Sequence, residues 1–184
     1  AGFRHAGPIR KALGIPTVFN FLGPLANPVG VRRYALGVSD QRMAERMIRV
    51  LSLLGAESAF VVHGEDGLDE VTTSGPTYIY RLRDGEITHA QFTPEDFGIR
   101  RSKLADLAGG DVADNVRIIR GILEGEKGPR RDAAIVNAAV GLVAAGIAEG
   151  FVEGVEVATG WVDSGAAAEV LERVVKRSQE LAAG

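Results

Sequence analysis

Residues 34–62 run YALGVSDQRMAERMIRVLSLLGAESAFVV, and the fold class turns on how this stretch is parsed. Tyr34–Val38 is short and apolar, which predicts a strand. Asp40 follows, with a side-chain oxygen suited to accept from a backbone N–H of a first helical turn. It starts a predicted helix that runs to Leu54 and stops at Gly55. Met43, Met47, Ile48, Leu51 and Leu54 fall at helical spacing and mark its inner face. Ser58–Val62 is a second strand whose apolar run is unbroken from Ala59 on, the pattern of a strand covered on both sides. Strand, helix and covered strand together predict a parallel βαβ unit. Such sheets hold ligands in the loops at the carboxyl ends of their strands. Here that loop is His63-Gly64-Glu65-Asp66-Gly67-Leu68-Asp69-Glu70.

Toward the amino terminus, residues 3–14 predict a short helix with Pro8 in its first turn and Gly14 just past its end. Pro16 to Pro28 is apolar but interrupted by Gly23 and Pro24, so it is expected to be a buried, ordered loop rather than a helix. Asn20 and Asn27 are placed to satisfy its backbone groups. Toward the carboxyl terminus, Thr77–Leu82 and Glu86–Phe92 flank Arg83-Asp84-Gly85, a strong hairpin signal. Thr93 to Asp96 is a turn or a helix start, and Leu104 to Leu107 a weak strand. Asp111 is expected to cap a helix through Leu123. Pro129 opens a helix toward Ala148 that is apolar almost all round and therefore central and buried. Helices at 151–162 and 164–182 follow, the last with a stripe of Val170, Leu171, Val174 and Val175. Trp161 is assigned to the core. No repeat or flexible linker is visible, and residues 1–184 are read as a single α/β domain.

Composition narrows the chemistry. At 184 residues, with 46% hydrophobic and 24% charged, the chain has the make-up of a globular domain with a sizeable core. Twenty-one basic against 24 acidic residues give a net charge of -3, without a general field for nucleic acid. The absence of cysteine excludes disulfides, thiolate metal sites and cysteine nucleophiles. No stretch has the length of a bilayer span and none resembles a signal peptide, so neither a membrane nor a nucleic-acid partner is expected, and the location expected is cytoplasmic.

Among candidate sites, the carboxylates of Asp66, Asp69 and Glu70 repel one another, and a divalent cation would relieve that repulsion. Mg2+ takes oxygen ligands and commonly only one or two carboxylates. In an extended strand Asp69 and Glu70 would face opposite ways, so joint metal binding requires a turn, which Gly67 permits. A solvated acidic loop is the plainer reading. Arg10 offers a guanidinium fork for a carboxylate or phosphate, though beside Lys11 it also fits an exposed helix face. Gly23-Pro24 is either a wall for a flat ligand or a structural turn. Gly109-Gly110-Asp111 is better explained as a glycine-rich helix start than as a phosphate cradle, which would follow a strand directly. His5, His63 and His89 show no metal-ligand spacing, and Ser74 and Ser164 lack the context of an activated nucleophile.

Taken together, these segments carry a resemblance. Ile9-Arg10-Lys11-Ala12-Leu13-Gly14-Ile15-Pro16-Thr17-Val18-Phe19-Asn20, Leu22-Gly23-Pro24-Leu25-Ala26-Asn27-Pro28 and Val61 to Glu70 closely resemble the anthranilate phosphoribosyltransferases. Pro94 to Gly98, Gly109-Gly110-Asp111 and Gly128-Pro129 through Asn137-Ala138-Ala139 match in order, and the likeness covers essentially the whole chain. It implies a three-layer α/β/α sandwich with a mostly parallel mixed sheet, of the nucleoside phosphorylase/phosphoribosyltransferase catalytic type. It implies transfer of a phosphoribosyl group from phosphoribosyl pyrophosphate to the amine of anthranilate, in tryptophan biosynthesis, with Mg2+ as cofactor. By the same resemblance Arg10 binds the anthranilate carboxylate, Pro24 lines the anthranilate channel, and Asp69 and Glu70 hold the metal. No residue is assigned as a catalytic base.

The chain departs from the family in one large respect. The family's Gly-Thr-Gly-Gly-Asp pyrophosphate loop, its Lys-His-Gly-Asn stretch and the helical domain forming its homodimer interface do not occur here. The expectation is a carboxyl-terminal half that needs the missing amino-terminal half for turnover. The alternatives are a non-catalytic small-molecule binding fragment and an enzyme similar to the pyrimidine-nucleoside phosphorylases. The Asp-Gly-Leu-Asp-Glu block argues against the latter.

Overall fold

A four-stranded sheet organises the residues that this computed structural model describes, 19–27 and 29–183 together with Gly7, Ala12 and Gly14. Helix α1 (Phe19–Leu25) leads to strand β1 (Arg33–Gly37), helix α2 (Gln41–Leu53) and strand β2 (Ser58–Gly64). Strands β3 (Thr77–Arg83) and β4 (Glu86–Phe92) complete the sheet in the order β1-β2-β3-β4. Helices α3 (Val112–Leu123), α4 (Pro129–Ala145), α5 (Phe151–Asp163) and α6 (Ala166–Ala183) follow.

The parallel βαβ unit is present. β1 pairs with β2 in parallel, Arg33 opposite Ser58 and Gly37 opposite Val62. Asp40 caps α2 by accepting from the Arg42 N–H at 2.9 Å. β3 and β4 return antiparallel, and no crossover helix lies between β2 and β3 or between β3 and β4. The expected mixed sheet with helices on both faces is thus observed, and within the described residues its parallel part is the β1–β2 pair. The β3–β4 turn places Asp84 at φ 53° and Gly85 at φ 79°, the doubly left-handed pattern that matches strand twist in a tight hairpin.

The alternation of β2 explains the layers. Successive side chains of a strand point to opposite faces. Ala59 and Val61 meet Ala44, Met47, Ile48 and Leu51 of α2, with Val38 and Leu82 filling the same layer. Phe60 and Val62 face the other way, toward Val136, Val140 and Ala144 of α4 and toward Ile79, Val71 and Phe97. Phe151 closes this second core, its ring 4.9 Å from that of Phe97 and 5.2 Å from that of Phe92. α5 lies close on α4 because Gly154 has no side chain; a Cβ there would sit 3.0 Å from the Cβ and carbonyl oxygen of Ala139.

Several expectations need correction. Phe19–Leu25 is helical despite Pro24, which falls in the final turn, where its absent N–H removes a single intrahelical bond. This helix is partly exposed, and Phe21 and Leu25 pack on the α2 side of the sheet. Leu104–Leu107 is a 3-10 turn rather than a strand; Asp106 bonds back to the Lys103 N–H at 3.0 Å and closes it locally. Leu54 ends α2 exposed. Trp161 is 46% exposed, and the whole Val170, Leu171, Val174, Val175 stripe of α6 faces outward. Periodicity identified an apolar face there, but no described residue buries it. The predicted 3–14 helix lies outside the described residues apart from Gly7, Ala12 and Gly14, the last at φ 63° as a glycine helix stop requires. Among the described residues no helix is long and apolar enough to cross a membrane.

Candidate functional site

The loop leaving β2 turns at once. The Gly64 N–H donates to the Leu68 carbonyl and the Gly67 N–H to the Gly64 carbonyl, each at 2.9 Å, and Gly67 sits at φ 94°. Asp69 and Glu70 therefore lie in a bend and not in an extended strand, which meets the condition for the pair to act on one ligand. Both side chains are exposed, and neither forms an ion pair with a described residue.

Asp66 is the internal clasp of this loop. Its Oδ2 accepts from the hydroxyls of Thr72 and Ser74, both at 2.5 Å, and its Oδ1 from the Leu68 N–H at 3.2 Å. Burial pushes the carboxyl up, but the bonds from Ser74, Thr72 and Leu68 outweigh it and hold Asp66 below its ordinary value. The returning segment is buried and bonded as well. The Thr72 N–H donates to Thr77 Oγ1 at 3.0 Å, and the Thr73 and Ser102 hydroxyls meet at 2.6 Å.

Two residues outside the loop fix its position. Gly37, at the end of β1, lies against the Asp69 backbone so closely that a Cβ there would overlap the Asp69 carbonyl. From the opposite layer Asn137 of α4 accepts the Val71 N–H at 2.8 Å and donates to the Val71 carbonyl at 3.0 Å. Nearby, His63 Nδ1 is 2.9 Å from the Val38 carbonyl, and its ring stacks on Tyr78 with centroids 6.4 Å apart, a structural role for this histidine.

The donor set fits Mg2+. Two carboxylates are free of protein cations among the described residues, and a small residue at Gly37 makes the close seat for Asp69. No group of three or more His, Asp or Glu among the described residues could hold a metal unaided. Mg2+ takes one or two carboxylates and fills its octahedron with water and phosphate oxygens. Pro24 lies exposed in α1. Arg10 lies outside the described residues, so its position relative to the acidic bend is not part of this geometry. Gly109-Gly110-Asp111 is a helix start as expected. Asp111 accepts the Asp114 N–H at 2.9 Å, and Asn115 bonds the Gly110 backbone at 3.1 and 3.2 Å.

Gly37 and Asn137 were not picked out as site-forming by sequence reasoning. Signals existed for both. An isolated glycine within a strand marks a close backbone approach, and an asparagine in a buried apolar helix must find bonding partners.

The chain belongs to the glycosyl transferase family, a/b domain, which matches residues 1–168. Within it the chain is 47% identical over 182 residues to the anthranilate phosphoribosyltransferase of Thermomicrobium roseum, an alignment covering 97% of this chain and 52% of that protein. The crystal structure of anthranilate phosphoribosyltransferase from Thermus thermophilus superposes with a TM-score of 0.87 at 40% identity, covering 95% of this chain and 51% of that one. The Saccharomyces cerevisiae enzyme, solved in complex with PRPP and Mg, superposes with a TM-score of 0.84 at 33% identity over 93% of this chain and 50% of its own. The same yeast enzyme has been solved in complex with 4-fluoroanthranilate. The chain thus spans about half the length of the relatives it matches.

Proposed function

We propose that this chain contributes to the transfer of a phosphoribosyl group from phosphoribosyl pyrophosphate to the amine of anthranilate. The observation that carries the reading is the Asp69-Glu70 bend, whose backbone is pinned from two layers while its carboxylates stay free. The likeness to an enzyme solved with PRPP and Mg supports it. Asp69 and Glu70 would hold the magnesium, which when bound offsets charge on the diphosphate leaving group. Arg10 would orient anthranilate through a bidentate contact to its carboxylate, and Pro24 would line its approach. The amine nitrogen then forms a bond to the anomeric carbon as the bond to pyrophosphate breaks, and the nitrogen sheds a proton. An aromatic amine is a weak nucleophile, so alignment of the two reactants supplies much of the rate.

In this reading the site is completed by sequence equivalent to the other half of the relatives, which carries the glycine-rich pyrophosphate loop. The outward apolar faces of α3 (Val112, Val116, Ile119) and α6 support a further packing partner. The test is complementation. The isolated chain is expected to show negligible turnover of anthranilate, and addition of the amino-terminal half of the Thermus thermophilus enzyme to restore it. Asp69→Asn should then lower the restored rate by about a hundredfold or more, the consequence of losing a few kcal/mol of charge stabilisation. Full activity of the isolated chain, or restored activity indifferent to Asp69→Asn, would overturn this assignment.

A further inference from the structure

We infer that Asn137 is a positioning residue, whose side-chain amide sets where the Asp69-Glu70 carboxylates stand. The inference rests on the reading of that pair as metal-binding.

Asn137 sits on a helix whose buried residues, apart from Arg131 in its first turn, are Ala, Val, Leu and Ile, and it lies 66 residues away from the loop it touches. A polar side chain there is stable only if fully bonded. It is. Both N–H bonds of its amide are used, one to the Val71 carbonyl at 3.0 Å and one to the Ala133 carbonyl of its own helix at 2.9 Å. Its oxygen takes the Val71 N–H at 2.8 Å. The bond to Ala133 fixes which way the amide faces, so the pair of bonds to Val71 has a single register. Val71 is held twice, since its side chain is buried in the second core beside Val136 and Val140. Within the pair, the Asp69 carbonyl abuts Gly37. The acidic pair is therefore held at Asp69 by β1 and, directly after Glu70, at Val71 by α4. Adjacent carboxylates repel, and an unanchored bend would relax by spreading them. The Asn137 clamp removes that freedom before any cation arrives, which is the part that partners of metal ligands play elsewhere.

The experiment is a Mn2+ titration of the 15N-labelled chain, read as paramagnetic broadening of backbone amide signals, with a thermal melt of each variant. Wild type should lose signals of residues 66–72 first, and Asp69→Asn should abolish that selectivity. Asn137→Ala should raise the Mn2+ midpoint by about tenfold. Leu142→Ala, a cavity on the face of the same helix that packs on α5 and away from Val71, lowers the melting temperature and should leave the midpoint in place. If Asn137→Ala does not fold, Asn137→Leu serves, since it keeps the side-chain volume without a new charge and makes none of the three amide bonds; it too should raise the midpoint. Asp69-dependent broadening with an unmoved midpoint in the Asn137 variant overturns the inference alone. An equal shift in Leu142→Ala overturns it as well, because the effect would then follow stability. Broadening that is absent near residues 66–72 or indifferent to Asp69→Asn overturns the metal reading beneath it.

Discussion

Two loops of this chain combine glycines with carboxylates, the 64–77 segment after β2 and the 103–111 segment before α3, yet they are built differently. In the first, bonds reach from α4 and from a distant serine, the end of β1 presses on the backbone, and the threonines are buried. In the second the side-chain bonds to Lys103, Gly110 and Asp114 close within five residues, the longer reach from Arg130 of α4 to the Ala108 carbonyl at 2.6 Å is exposed, and no residue of its 3-10 turn is buried. Local bonds end one element and begin the next. Long-range bonds hold a surface loop in one shape with its outer side chains unspent. Composition does not separate the two loops, whereas the burial of the long-range bonds that reach them does.

The contrast can be broken most forcefully at Gly37. Gly37→Ala should destabilise the chain by about 3 kcal/mol in urea unfolding, because the new methyl meets backbone and not a movable side chain. Asn137→Ala comes next at about 2 kcal/mol, since it leaves buried backbone groups of Val71 unpartnered, with the loss read in the same denaturation curves. Asp66 sharpens the comparison through pH. Its carboxyl is held below its ordinary 3.8, so its stabilising contribution is complete above that value and is lost as pH falls through the lower folded value. Melting temperatures of wild type and Asp66→Asn should therefore differ by a constant amount above about pH 5 and converge only below about pH 4. The smallest effect belongs to the second loop, where Asp111→Ala removes a helix cap and should cost about 1 kcal/mol. Equal losses at Asn137 and Asp111 would erase the distinction drawn here.

The elements legible in advance were those whose signals are local. The Asp40 cap, the helical spacing through Met47, Ile48 and Leu51, the apolar run of β2 and the Asp84-Gly85 turn each act within a few residues, and each is found where expected. The Pro24 segment misled because a proline forbids helix in an interior but not in a last turn, and where a helix ends depends on its packing. Trp161 and the α6 stripe misled for a related reason. Periodicity shows which face is apolar and carries no information about whether anything covers it.

The acidic pair itself was visible in the sequence, as was its need for a turn at Gly67, because charge and backbone freedom are properties of the residues themselves. The chain alone therefore determined the βαβ frame and the chemistry available at its carboxyl end. Only the tertiary structure decided that β1 and α4 meet at that bend, and that a missing Cβ at Gly37 and a single amide at Asn137 fix its backbone. Those contacts join residues dozens of positions apart, and no local preference of either partner specifies them.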